Sequence, residues 1–310
     1  MLPPGRLELG KIAVWIGELR APFMLLTAVS VSLGVAVAWR SGQFAAPEAG
    51  LTLLGVLLLH AGVNVLNDYF DYRSGIDLQT KRTPFSGGSG ILPGKLLSPR
   101  AVYRAGLAFT AGGMIIGLFF VLTKGLPVLL FLVPAALCVL YYSTALAARG
   151  LGEFAAALSF GPLVVGGSYY IQTPRIDLEP IVIGVAQGIM VGAILFLNEF
   201  PDVDADKSGG RNHLPARLGL NKSSRLFKLF PTAAYSLIAA SALAGLIPRT
   251  ALLALATLPL EVKASMVASR HFDDLERLVP AMGLNVAATL LLGTLLVTGY
   301  ILDGFFPPIL

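Results

Sequence analysis

The chain has 310 residues, 55% hydrophobic and 13% charged, with a net charge of +5. Soluble domains carry about 25% charged residues, so the composition argues against a water-soluble globule and for a membrane protein. The basic excess does not point to nucleic acid, because the Lys and Arg residues lie between long apolar runs and no nucleic-acid-binding motif is visible.

Residues 1–10 lack the apolar stretch of a signal peptide, so insertion is expected through the first membrane helix. Residues 8–20, ELGKIAVWIGELR, mix apolar and charged positions around Trp15. They read as an interfacial helix on the membrane surface, with a short disordered lead as the alternative. A span needs about 20 mostly apolar residues. Nine segments qualify: 22–39, 50–66, 101–123, 126–143, 153–172, 180–198, 229–247, 250–268 and 280–302. The eighth is the weakest, since it contains Glu261 and Lys263. Pro22 and Pro180 stand at helix starts, where a missing N–H costs nothing. The predicted fold is all-α: a polytopic membrane protein with nine transmembrane helices around a central cavity, residues 1–310 forming one domain.

Orientation follows from the loops. With the N-terminus in the cytoplasm, 19 of the 23 Lys and Arg residues fall inside, and only Arg40, Lys124, Arg175 and Arg249 fall outside. That asymmetry supports nine spans and places segments 67–100 and 199–228 on the cytoplasmic side. A prokaryotic plasma membrane is the simplest location.

Those two inside segments carry the chemistry. The first begins in NVLNDYFDYRSGID, residues 64–77. If the second helix continues through it, Asn64, Asp68 and Asp71 share one face at i, i+4 and i+7. The second begins in NEFPDVDAD, residues 198–206, where Asn198, Asp202 and Asp206 fall at i, i+4 and i+8, with Pro201 a candidate bend. An Asn four residues before an Asp occurs in both, a weak internal repeat. Four helices separate the two segments, so both emerge on one side and can face each other. Clustered carboxylates repel unless a cation joins them. Mg2+ suits them, since it takes carboxylate and phosphate oxygens. Two such clusters could hold Mg2+ ions with a diphosphate between them, neutralising a leaving group. Asn64, Asn67 and Asn198 could add neutral oxygens, and Lys81, Arg82, Lys207 and Arg211 could hold phosphate. Solvated helix caps are the competing reading, but Asp at a helix C-terminus opposes the dipole.

At these residues the chain resembles the UbiA superfamily of intramembrane aromatic prenyltransferases. NDYFDYRSGID and DVDAD resemble its two aspartate-rich motifs, and KRTPFSGGSGILPGKLLS resembles its basic, glycine-rich loop. The resemblance implies nine helices, Mg2+, a prenyl diphosphate donor and an aromatic acceptor. It implies that Asp68, Asp71, Asp77, Asp202 and Asp206 serve as metal ligands or catalytic groups, with Asn67 and Asn198. Gly75 stands where the 4-hydroxybenzoate branch has an Asp; Asp77 in a GID context and GLGE at 150–153 look more like 1,4-dihydroxy-2-naphthoate prenyltransferases. That acceptor implies decarboxylation and a role in menaquinone synthesis, with a benzoate acceptor as the alternative. The family's tyrosine followed four residues later by lysine is absent, since Ala145 and Leu146 follow Tyr141 and Tyr142 at that distance.

Tyr141 and Tyr142 end the fourth helix on the inside. Either could bind diphosphate or face an allylic cation, and both also fit an interfacial aromatic belt. Glu199 and Glu153 read equally as site residues or as solvated charges. His60 and Cys138, within apolar helices, read as packed groups. An ion-coupled transporter is the rival of another class, but the acids lie on one side rather than at the midplane.

Overall fold

The computed structural model describes residues 4–306, with side chains from Gly10 onward. A first helix, α1 (Pro4–Glu18), precedes nine helices long and apolar enough to cross a membrane among the described residues. They are α2 (Ala21–Arg40), α3 (Ala46–Ser74), α4 (Pro99–Lys124), α5 (Leu126–Arg149), α6 (Gly152–Gln172), α7 (Leu178–Asn198), α10 (Leu220–Leu243), α11 (Arg249–Arg270) and α12 (Leu275–Phe305). Two short helices, α8 (Val203–Ser208) and α9 (Leu214–Leu218), lie between α7 and α10. The protein is an integral membrane protein, and the nine spans anticipated from composition are all present.

Three boundaries differ from the sequence reading. The second span does not stop at residue 66 but runs to Ser74, because no breaker interrupts it until Gly75, whose left-handed backbone (φ 83°) caps it. The first acidic motif is therefore helical. The second motif is not one helix: α7 stops at Asn198 and α8 begins at Val203. Pro201 lacks an N–H and its ring opposes the carbonyl four residues back. Near residue 228 the seventh span is also longer than anticipated, since Leu220–Phe227 is helical.

α7 is the hub: 72% of its apolar window is buried, against 17% for α5 at the edge. Small residues permit the close packing. A methyl added at Gly34 of α2 would stand 2.2 Å from the Val165 carbonyl of α6. α6 breaks at Gly161–Pro162, where Gly161 takes non-helical angles inside a π-type turn (Ser159–Leu163). Such turns recur at functional sites, and this one turns Ser159, Phe160 and Leu163 toward a cavity enclosed by α2 to α7.

Candidate active site

The cavity, about 350 Å3, is acidic at one end and apolar along the rest. Both aspartate motifs meet at its acidic mouth. Asp68 and Asp71, one turn apart at the end of α3, are 1% and 6% exposed. Gly75 then reverses the chain through a short 3-10 turn, so that Asp77 faces back and is also buried. Asp202 and Asp206 enter from the α7–α8 corner, and Asn198 from the end of α7.

The glycine-rich loop joins the two motifs. The Ser89 N–H donates to Asp68 Oδ2 at 2.9 Å, and the Gly87 N–H lies close enough to Asp202 to favour its charged form. Asn198 Nδ2 donates to the Phe85 carbonyl at 3.0 Å. Glycine is needed here for space and conformation: at Gly88 (φ 70°) a methyl would sit 2.9 Å from both carboxylate oxygens of Asp77.

Two arginines neutralise part of this charge. Arg20 pairs with Asp68 and also donates to Asn67 Oδ1 at 3.4 Å. Arg211 pairs with Asp71, and its Nη1 lies 3.6 Å from Asp206. Arg20 adopts left-handed backbone angles (φ 52°, ψ 49°) between α1 and α2. That conformation costs a non-glycine residue roughly 1–3 kcal/mol, and such strain collects at functional sites. The tail of the anticipated interfacial segment thus enters the site. Glu18, which precedes Arg20, is fully buried and accepts from Ser89 Oγ at 2.8 Å.

His213 holds Asp206. Its Nδ1 accepts the Ala216 N–H at 3.3 Å, so Nε2 carries the proton and donates to Asp206 Oδ2 at 2.9 Å. Partners of this kind orient ligating carboxylates and typically contribute 10–100-fold to metal affinity or activity. His213→Ala is therefore expected to lower kcat/KM by about 10–100-fold and to raise the Mg2+ concentration needed for half-maximal rate. A normal Mg2+ titration would show that His213 caps α9 and nothing more.

Burial acts on the remaining acids. It pushes Glu18 up to about 7, helped by Asp68. It pushes Asp77 up to about 8, helped by Asp71 and Asp68, and Asp202 up to about 7, helped by Asp206. Burial and the adjacent Glu153 hold Glu199 well above the ordinary carboxylate range. Each of these groups binds its proton more tightly when folded. The stability they contribute is complete below about pH 4, where both states are protonated, and is lost as pH rises through 7 to 8. The metal-free protein is therefore expected to melt at a lower temperature at pH 8 than at pH 5.5. Mg2+ with inorganic diphosphate should narrow the gap; an unchanged gap would mean that these acids do not share a cation.

Not every residue singled out in the sequence meets at the mouth. Asn64, Asn67, Asp71, Asp77, Asn198 and Asp202 line the cavity, as do Asp206, Arg211 and Tyr142. Asp68 lies directly behind, held by Arg20 and Ser89. Asn67 bridges Asp71 Oδ2 at 3.0 Å and Ser143 Oγ at 3.1 Å. Asn64 donates to the Leu19 carbonyl at 3.1 Å. Lys81, Arg82, Lys207 and Tyr141 are exposed and outside the lining. Arg82 lies across Gly90, and Tyr141 is on the outer face of α5, 52% exposed. His60 is buried as anticipated, hydrogen-bonded to Thr27 at 2.8 Å. Glu18, Ser89, Ser143 and His213 gave no signal as site residues, and Arg20 counted only toward orientation.

The donor set fits a hard cation. Asp77 Oδ2, Asp202 Oδ1 and Asn198 Oδ1 are buried without a hydrogen-bond partner, an expensive state unless another ligand satisfies them. Among the described residues no three His, Cys, Asp or Glu side chains converge enough to hold an ion alone. That arrangement suits Mg2+, which commonly takes one or two carboxylates and completes its shell with water and substrate phosphate.

Comparison with known proteins identifies relatives of this chain. Over 224 residues the chain is 29% identical to the 1,4-dihydroxy-2-naphthoate octaprenyltransferase of Haemophilus influenzae, covering 68% of this chain and 71% of that one. It is 26% identical to the 2-carboxy-1,4-naphthoquinone phytyltransferase of Synechocystis, covering 93% and 92%. A UbiA homolog from Archaeoglobus fulgidus, solved bound to GPP and Mg2+, shares the fold at a TM-score of 0.61 and 16% identity, with 92% and 99% of the two chains covered. The sequence model of the UbiA prenyltransferase family matches residues 25–286. This chain belongs to the UbiA prenyltransferase family, and it is an enzyme of prenyl transfer.

Proposed function

We propose that the protein transfers a prenyl group from a Mg2+-bound prenyl diphosphate to 1,4-dihydroxy-2-naphthoate, with loss of CO2, in menaquinone synthesis. The observation that carries this reading is the meeting of four aspartates from two distant motifs at the mouth of one apolar cavity, with Asp68 buried directly behind them. Asp68, Asp71, Asp77, Asp202 and Asp206, with Asn67 and Asn198, would hold the metal. When bound, Mg2+ neutralises the diphosphate and makes it a better leaving group. The names of the naphthoate-prenylating relatives and the GID context of Asp77 support the acceptor.

Arg20 and Arg211 pair with the acids in the metal-free protein. Were Mg2+ to engage these acids, the guanidinium groups of Arg20 and Arg211 would be free to hold phosphate oxygens through charge-assisted hydrogen bonds. Lys81, Arg82 and Lys207 add positive field around the mouth and draw the anionic donor in. The donor's C1–O bond breaks with its electron pair leaving on diphosphate. The Tyr142 ring faces the resulting allylic cation. Tyr141 belongs to the interfacial belt. The electron-rich ring of the acceptor forms the new C–C bond at the carbon bearing the carboxylate. Breaking the bond to CO2 returns an electron pair to the ring, so no protein base is needed there. The distribution of Lys and Arg supports a plasma-membrane protein with both motifs on the cytoplasmic side; the chain works as one membrane domain.

Purified protein given Mg2+, a prenyl diphosphate and either naphthoate or 4-hydroxybenzoate tests the acceptor. Prenylated naphthoate with stoichiometric CO2 is the expected product. Product from the benzoate alone would move the protein to a ubiquinone-like pathway.

A further inference from the structure

We propose that a cleft between α10 and α11 binds the headgroup of an amine-bearing phospholipid, with its ammonium on Glu261 and its phosphate on Lys228. The cleft shares no lining residue with the active-site cavity.

Glu261 and Lys263 are the charges that make the eighth span the weakest in the sequence, and prenyl transfer uses neither. Glu261 is 1% exposed, and neither of its carboxylate oxygens has a hydrogen-bond partner. The hydroxyls nearby are already engaged. Tyr235 of α10 donates to Thr257 Oγ1 at 2.7 Å, and Thr257 Oγ1 donates to the Ala254 carbonyl at 2.7 Å. Thr232 donates to the Lys228 carbonyl at 2.8 Å. A buried carboxyl in this state is costly whether or not it carries a proton. A ligand that donates to it removes that cost. One carboxylate beside a lysine is a poor metal site, because hard cations gather several oxygen ligands. It suits an ammonium group, which brings a single positive charge and N–H donors.

Glu261 lines the cleft together with Lys228, Thr232 and Ser265, and the volume is about 250 Å3. Pockets for drug-sized ligands run to roughly 300–1,000 Å3, so this one suits a headgroup of few heavy atoms. Lys228 is exposed at the rim and offers phosphate a charge-assisted hydrogen bond. One negative and one positive group in a small cleft complement zwitterionic phosphoethanolamine.

The level in the membrane agrees. Lys228 and Lys263 are both exposed, and exposed lysines on a span keep their ammonium groups at headgroup level. Lys228 lies between the second aspartate motif and the rest of α10. The cleft therefore opens on the leaflet from which that motif emerges. Leu258, Val262 and Met266 also line it and are exposed, at i, i+4 and i+8 along α11. They form one apolar strip, continuous with the cleft, on which an acyl chain can lie.

The test is native mass spectrometry of the full-length protein, delipidated in detergent and titrated with phospholipids of identical acyl chains. The series runs from phosphatidylethanolamine through its mono- and dimethyl forms to phosphatidylcholine. One phosphatidylethanolamine is expected to bind about tenfold or more tightly than phosphatidylcholine, whose ammonium has no N–H for a charged hydrogen bond. Affinity should fall with each added methyl. Soluble glycerophosphoethanolamine should bind at least about tenfold more weakly than the lipid, for want of buried chain. Glu261→Gln should bring phosphatidylethanolamine down to the phosphatidylcholine level. Lys228→Gln should weaken all the phospholipids alike and keep their order. A flat methyl series in the wild type overturns the proposal without recourse to a variant, and so does a preference that survives Glu261→Gln. Equal binding of the soluble headgroup would overturn the lipid as occupant.

Discussion

Asp68→Asn and Asp202→Asn are each expected to reduce kcat/KM by about a thousandfold or more, the scale on which removing charge stabilisation of a leaving group acts. Both substitutions preserve side-chain shape and leave the helices alone. Asp68 is reached by Arg20 and by the Ser89 N–H, and Asp202 by the Gly87 N–H. At Asp68 the two oxygens accept from different donors, so an amide there keeps one of these bonds, loses the other and loses the charge. Folding, checked by gel filtration and helical circular dichroism, should therefore be retained. Because the two aspartates come from motifs on opposite sides of the mouth, the double variant should be little worse than either single one, as expected for groups acting as a unit. Near-normal turnover in either folded variant would remove the shared-metal account.

The largest effect on stability is expected at Gly188 in the middle of α7. A methyl there would stand 2.1 Å from the Ala157 carbonyl and 3.0 Å from Gly161 Cα. These are backbone atoms and cannot swing aside as a long side chain would. Gly188→Ala must push α6 from α7 at the kink that shapes the cavity wall. Overpacking of this kind costs about 3 kcal/mol or more, a large share of the marginal stability of a folded protein. The readout is a drop in unfolding midpoint in detergent, with loss of monodisperse protein. An unchanged midpoint would mean that the α6–α7 approach is looser than described.

Much of this architecture was legible in the chain itself. Apolar length gave the nine spans, and the Asn64–Asp68–Asp71 spacing placed those residues on one helical face, which α3 provides by running unbroken to Ser74. The second motif was harder to read. Periodicity alone put Asn198, Asp202 and Asp206 on a common helix, whereas the corner at Pro201 brings them together across two helices. The least visible parts are pairings distant in sequence. Arg20 meets Asp68 across 48 positions, and Arg211 meets Asp71 across 140. Nothing in local pattern distinguishes Arg20 from the basic residues that set orientation, or His213 from an ordinary helix cap. Conversely, Lys81 and Arg82 on the loop after α3 and Lys207 on α8 are near the acids in sequence yet exposed, because a charged head stays in water unless a partner holds it.

The central claim is that the two aspartate clusters drive metal-dependent cleavage of a prenyl diphosphate. The most direct measurement is release of inorganic diphosphate by the purified, folded protein with naphthoate acceptor, with and without Mg2+. Release should require Mg2+, stop with EDTA, return when Mg2+ is restored in excess, and fall by about a thousandfold or more in Asp68→Asn. Release indifferent to EDTA, or no release from any donor by protein shown to be folded, would contradict it.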